Sequence, residues 1–139
     1  MMRRLKMLMD AEGLPFDEGR NMTFNSRLAQ ELAKWGETKT ESQNLNMALY
    51  QAYFVDGQNI GDVDVLMRVV EQVGLPVNEA REMIEKRAMR SAVDADWQHA
   101  RSIGVSSVPT FAVGMTGVVG AQPYEQLAQF IESVGAAKR

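Results

Sequence analysis

The chain has 139 residues, of which 45% are hydrophobic and 24% are charged, and its formal net charge is −3. This size predicts one domain with a single core, and the acidic balance argues against binding to nucleic acid or to an anionic membrane. No window approaches the roughly 18 consecutive apolar residues of a membrane-spanning helix, and the first residues lack a secretory signal pattern, so a cytoplasmic protein is expected.

The sequence contains no cysteine and only one histidine, His99. The lack of cysteine removes disulfides, thiolate nucleophiles and thiolate metal ligands. A single histidine cannot build a multi-histidine metal site within one chain. We therefore predict no catalytic residue, no metal ligand and no resident cofactor in this chain.

Four helices are predicted in the first half of the chain, because apolar residues recur there every three or four positions. Capping residues and glycines mark their ends. The predicted helices run over 3–11, from a cap at Thr23 or Asn25 to Gly36, from a cap at Thr40 or Ser42 to Asp56, and from a cap at Asp62 to Gly74.

The second half begins with one long predicted helix, capped by Asn78 and continuing to about Ile103, with at most a bend near Ser91 or Asp94. No Gly or Pro interrupts this stretch. The segments "VPTFAV" and "GVVGA" then predict a β-hairpin. A last helix is predicted with Pro123 at its first position and an apolar stripe at Leu127, Ala128, Ile131 and Val134. An isolated hairpin is marginal, so something else is expected to complete the sheet.

Several segments of the chain resemble a known family in order and spacing. The stretches "GVSSVPTF" and "GAQPYEQL" resemble the C-terminal end of DsbA-like thioredoxin-fold proteins, in the FrnE-like branch related to 2-hydroxychromene-2-carboxylate isomerases. Upstream, "NSRLAQELAKW", "ALYQAYFVDGQNIGDVDVLMRVVEQVGL" and "DADWQHARSIGV" resemble the helical insertion of that branch. The resemblance covers essentially the whole chain.

The resemblance implies a mainly α protein, formed as a single domain over residues 1–139. Residues 1 to about 103 would be the helical insertion of a DsbA-like protein, and about 104–139 a C-terminal β-hairpin and helix from an incomplete thioredoxin fold. Family members begin with a strand, a Cys-x-x-Cys or Ser-containing turn at a helix N-terminus and a second strand. The resemblance implies that this chain lacks that part, and with it the nucleophile.

The resemblance also implies a cis peptide bond before Pro109 and a substrate-binding edge formed by Ser107, Val108, Pro109 and Thr110. In the family, an extended peptide or glutathione pairs with the backbone at this edge, which is an edge-strand mode of recognition. The alternative is that the turn only shapes the end of the sheet.

Other polar residues have simpler interpretations. Ser106 and Ser107 lack the adjacent base that a serine nucleophile needs, and His99 is interpreted as a residue near a helix C-terminus. The carboxylates of Asp94, Asp96, Glu82 and Glu85 are interpreted as a charged solvent face.

Three functional hypotheses follow from these observations. The chain is a DsbA-like binding or structural module without thiol chemistry, the C-terminal part of a full-length disulfide oxidoreductase, or a relative of glutathione-dependent isomerases and transferases. We also expect a homodimer, because the hairpin and the last helix would otherwise expose their apolar faces.

Overall fold

The computed structural model describes residues 2–17, 19, 22–39 and 42–136. Within these ranges the fold is mainly helical with one small antiparallel hairpin, which confirms the predicted fold class. The helices are α1 (Met2–Ala11), α2 (Arg27–Gly36), α3 (Ser42–Tyr50), a π-helical segment (Gln51–Val55), α4 (Val63–Gln72), α5 (Val77–Glu85), α6 (Arg90–Ser102) and α7 (Tyr124–Ser133), and the strands are β1 (Thr110–Val113) and β2 (Thr116–Val119). In the described ranges, none of the helices combines the length and apolar character that crossing a membrane requires.

The chain divides into two compact units, Met1–Asp94 and Ala95–Arg139, with the boundary inside α6. The first unit contains α1 to α5, and the second contains the hairpin and α7. The expected single domain over 1–139, with parts at about 1–103 and 104–139, stays a prediction.

The core of the first unit lies among α2, α3, α4 and α5, which contact one another. Each of these helices presents apolar side chains at three- and four-residue spacing, so one face of each is buried. The most deeply buried apolar side chains of these four helices are Leu32, Trp35, Leu45, Leu66, Val69, Val70, Ala80 and Ile84.

Helix α4 begins and ends at the residues that the sequence indicates. The carboxylate of Asp62 accepts hydrogen bonds from the backbone N–H groups of Asp64 at 2.8 Å and Val65 at 3.2 Å, which satisfies two donors of the first turn. The helix ends before Gly74, whose φ of +74° suits a residue without a Cβ. The predicted cap and stop are confirmed.

The starts of α2 and α3 differ from the prediction. The N-cap of α2 is Ser26, whereas Asn25 accepts a hydrogen bond from the N–H of Arg27 at 2.9 Å, so this amide forms a local turn just before the helix. Helix α3 includes Ser42 as its first residue and continues into the π-helical segment. The alternative cap, Thr40, lies outside the described residues.

The predicted long helix from Asn78 to Ile103 is wrong. The N-cap of α5 is Pro76, so Asn78 lies inside that helix. Helix α5 then ends at Glu85 and α6 starts at Arg90, with a turn over 86–89 in which Arg87 has a φ of +51°. The left-handed backbone of Arg87 interrupts the helical hydrogen bonds, and no local Gly or Pro signals it.

In the second unit, β1 and β2 pair antiparallel, with Thr110 opposite Val119 and Val113 opposite Thr116. This confirms the predicted hairpin. Pro123 is the N-cap of α7 and precedes its first residue. The buried side chain of α7 is Phe130, whereas Ile131, predicted for the apolar stripe, is exposed.

Candidate functional site

The predicted site lies where the chain passes from α6 to β1. Helix α6 closes with two hydrogen bonds, from the N–H of Gly104 to the carbonyl of Arg101 and from the N–H of Val105 to the carbonyl of Ala100. Gly104 has a φ of +79°, which is the conformation that ends helices in this way. The backbone therefore turns out of the helix, and residues 106–109 are exposed.

The four predicted site residues form one contiguous turn at the start of β1. The peptide bond between Val108 and Pro109 is cis. The hydroxyl of Thr110 donates to the carbonyl of Ser107 at 2.6 Å, and the carbonyl of Pro109 accepts a hydrogen bond from the N–H of Gly120 at 2.8 Å. These bonds anchor both ends of the turn.

The register of the hairpin determines which backbone groups of β1 face away from β2. The bond between Pro109 and Gly120 extends the same register as the strand pairs. Because hydrogen-bonded pairs alternate in an antiparallel ladder, Phe111 and Val113 bond β2, whereas Thr110 and Ala112 direct their N–H and C=O groups outward. Among the described residues, the sheet consists of β1 and β2, so no described strand pairs with the outer edge of β1.

Val108 extends this open edge beyond the proline. Its side chain is 89% exposed, and within the described ranges its backbone N–H and C=O have no hydrogen-bond partner. Other exposed apolar side chains of the hairpin and of the start of α7 are Phe111, Val113, Met115, Val119 and Tyr124. We define the β1 edge as the backbone of residues 107–112, and it offers both donors and acceptors to an extended chain.

The other candidate residues remain outside this edge. His99 lies in the last turn of α6. Asp94 forms an ion pair with Arg27 at 2.7 Å, and Glu82 pairs with Lys86 one helical turn later. These two carboxylates are partners of cations, so they do not form the acid–base pair of a catalytic site.

The buried carboxylate of Glu31 was not predicted. It accepts hydrogen bonds from Nε of Arg27 at 2.9 Å and from Nε and Nη2 of Arg87 at 2.8 and 2.7 Å. The Nη2 atom of Arg27 also donates to the carbonyl of Arg90 and to Asp94. We call these five residues the Glu31 network. In the sequence, the one indication that Glu31 is buried is its position beside the apolar stripe of α2.

The electrostatics of the Glu31 network favour the charged carboxylate. The hydrogen bonds from Arg87, together with the one from Arg27, lower the pKa of Glu31 from 4.5 to about 2, against the effect of burial. A carboxylate with this pKa stays ionised at neutral pH and is a poor general base. The network thus joins α2 to the turn between α5 and α6 and supplies no acid–base group.

Comparison with known proteins identifies the family. The DSBA-like thioredoxin domain family matches residues 1–132 of the chain. The chain is also similar to the uncharacterized protein YwbO of Bacillus subtilis (strain 168), with 32% identity over 95 residues, which is 68% of this chain and 48% of that protein. The chain thus spans about half the length of the curated relative it matches. It belongs to the DSBA-like thioredoxin domain family.

Proposed function

We propose that this chain is a binding module of a protein related to thiol–disulfide oxidoreductases, and that it performs no thiol exchange by itself. The observation that carries the proposal is the β1 edge, where Val108, Thr110 and Ala112 present backbone groups that no other described residue pairs with. An extended peptide that adds to this edge gains main-chain hydrogen bonds, and its side chains meet the exposed apolar residues of the hairpin.

The lack of thiol chemistry follows from the reaction itself. Thiol–disulfide exchange begins when a thiolate attacks a disulfide sulfur, and the sequence contains no cysteine. In an insulin-reduction assay with dithiothreitol, we expect the rate of precipitation with this protein to equal that of the uncatalysed control. A rate above that control would contradict this part of the proposal.

The binding role is tested by nuclear magnetic resonance with reduced, carboxymethylated insulin B chain as an extended probe. We expect the amide resonances of Val108, Thr110 and Ala112 to shift on titration. The N–H of Ala112 points away from β2, so the variant Ala112→Pro removes an outward donor without removing a bond between the strands. Proline is tolerated at sheet edges, and the variant should weaken binding of the peptide. The matched control Ala112→Ser keeps the N–H and should bind normally. Equal binding by both variants would contradict pairing at the β1 edge.

Glutathione is the alternative ligand for the same edge. The relation to glutathione-dependent isomerases and transferases, and the FrnE-like branch more generally, rest on the sequence resemblance alone. Calorimetric titration with glutathione distinguishes the two ligands. Heat of binding at millimolar glutathione, together with no shift on adding the insulin B chain, would favour the isomerase or transferase relative.

A second candidate function is the C-terminal part of a full-length disulfide oxidoreductase. It is favoured by the length of the YwbO protein, of which this chain covers about half. If this proposal is correct, the in-frame nucleotide sequence upstream of the first codon encodes a strand followed by Cys-x-x-Cys. A stop codon directly upstream would favour the binding module instead.

The site residues Ser107, Val108, Pro109 and Thr110, the homodimer and the cytoplasmic location stay predictions. For the homodimer, light scattering at tens of micromolar protein is the direct measurement. A monomeric mass at that concentration would contradict it.

A further inference from the structure

The turn between α5 and α6 conflicts with its own local sequence. It consists of Lys86, Arg87, Ala88 and Met89, all of which favour helix. Arg87 nevertheless has a φ of +51° and is the one non-glycine residue of the described ranges with a positive φ. Residues with a Cβ rarely adopt this conformation. A conflict between local preference and observed backbone marks a place where distant contacts decide the structure.

The distant contact is Glu31, which lies 56 positions earlier in the chain. Its carboxylate is fully buried, and it binds the side chain of Arg87 through two nitrogens. The paired, nearly parallel hydrogen bonds of such a contact fix the direction of the guanidinium as well as its charge. The residue with the unfavourable backbone is therefore the residue that this carboxylate holds.

The same carboxylate also reaches the first turn of α6. Arg27 binds Glu31 with Nε and binds the carbonyl of Arg90 and the carboxylate of Asp94 with Nη2. Arg87 within the turn and Arg90 at the start of α6 are thus both connected to α2 by hydrogen bonds that involve a charged side chain. Burial of Val93 also favours the bent arrangement, because in a continuous helix that side chain would point away from the face that holds Ala80 and Ile84.

We propose that the junction of α5 and α6 is a two-state element, in which the contact between Glu31 and Arg87 holds the bend against the helix preference of residue 87. When that contact is lost and residue 87 still favours helix, the junction changes toward one continuous helix. In the bent state the helices are separate. In the straight state residues 86–89 are helical, and the N–H of Met89 donates to the carbonyl of Glu85. In this proposal, the Glu31 network stabilises the bent state relative to the straight state.

Two substitutions at one position test this proposal. Arg87→Ala and Arg87→Gly both remove the guanidinium, but alanine strongly favours helix whereas glycine tolerates the left-handed backbone. We expect the backbone chemical shifts of residues 86–89 to move to helical values in Arg87→Ala, with slower amide exchange at Met89. In Arg87→Gly we expect the non-helical shifts of the parent protein.

A second pair of variants tests the role of the carboxylate without changing the turn. Glu31→Gln should shift residues 86–89 toward helical values, whereas Asp64→Asn, which removes an exposed ion pair with Arg81 away from the turn, should leave them unchanged. Non-helical shifts in both Arg87→Ala and Glu31→Gln would overturn the proposal, because packing alone would then account for the bend. Helical shifts in Arg87→Gly as well would overturn it too, since the backbone preference at this position would then be irrelevant.

Discussion

Replacing Glu31 by Gln tests how much the buried carboxylate contributes to stability. Glu31 is fully buried and accepts three hydrogen bonds from two arginines. Removing one partner of such a buried ion pair costs about 3–5 kcal/mol. Glutamine keeps the shape and can accept some of these bonds, and the side chain of Arg87 is 42% exposed. We therefore expect the free energy of unfolding to fall by about 2–3 kcal/mol.

The assay is urea denaturation followed by far-ultraviolet circular dichroism, in which stability is read from the midpoint at constant slope. The control is Glu82→Gln, whose carboxylate forms an exposed ion pair with Lys86, the residue directly after α5, and should contribute less than about 1 kcal/mol. A loss in Glu31→Gln no larger than in this control would refute the energetic argument.

The stability of the parent protein, compared with that of Glu31→Gln, should depend on pH. The pKa of Glu31 falls from 4.5 to about 2 in the folded chain, so the folded state binds this proton less readily than the unfolded state. The contribution of the carboxylate is therefore complete above about pH 5 and is lost as the pH falls toward 2. The difference in unfolding free energy between the parent protein and Glu31→Gln should shrink over that interval. A difference that stays constant would contradict the assignment.

Three further substitutions test the helical unit by the same denaturation assay. Asp62→Ala removes the side-chain cap of α4 and should lower the free energy of unfolding by about 1 kcal/mol. Asp62→Asn keeps a capping side chain and should retain most of that stability. Gly57→Ala should lower the free energy of unfolding by at least about 1 kcal/mol, because φ is +61° and an added Cβ would clash with a carboxylate oxygen of Asp17. Adding Asp17→Ala removes the clash and should recover part of this loss. Leu66→Ala opens a cavity at a fully buried position and should cost about 2–5 kcal/mol, whereas Met115→Ala at the exposed hairpin tip should change stability by less than about 0.5 kcal/mol.

Elements defined by local signals could be predicted from the sequence. Asp62 and Gly74 limit α4, and the β-branched segments around Gly114 form the hairpin, because caps, turns and strand preference act within a few residues. The resemblance of "GVSSVPTF" to a family predicts a substrate-binding edge at residues 107–110, which stays a prediction, and the hairpin register adds which backbone groups of β1 face outward.

Elements defined by distant contacts could not be predicted in this way. We infer that the turn at Arg87 depends on Glu31, and the spacing of apolar residues in 78–103 gives no information about a carboxylate on α2. Phe130 is buried, although the stripe read from α7 favoured Ile131, because the helix phase depends on what the helix packs against. The π-helical segment at 51–55 likewise has no local signal that distinguishes it from an α-helix.

The shortness of β1 has a consequence for how this protein behaves when it is concentrated. An exposed strand edge is also a template for cross-β stacking, in which segments of about six or seven residues form the stable zipper. The strand β1 has four residues, and Pro109 directly before it has no N–H to donate. An amyloid stack that started here would have too few consecutive donors to grow, so the edge can stay exposed at a lower risk of fibril formation.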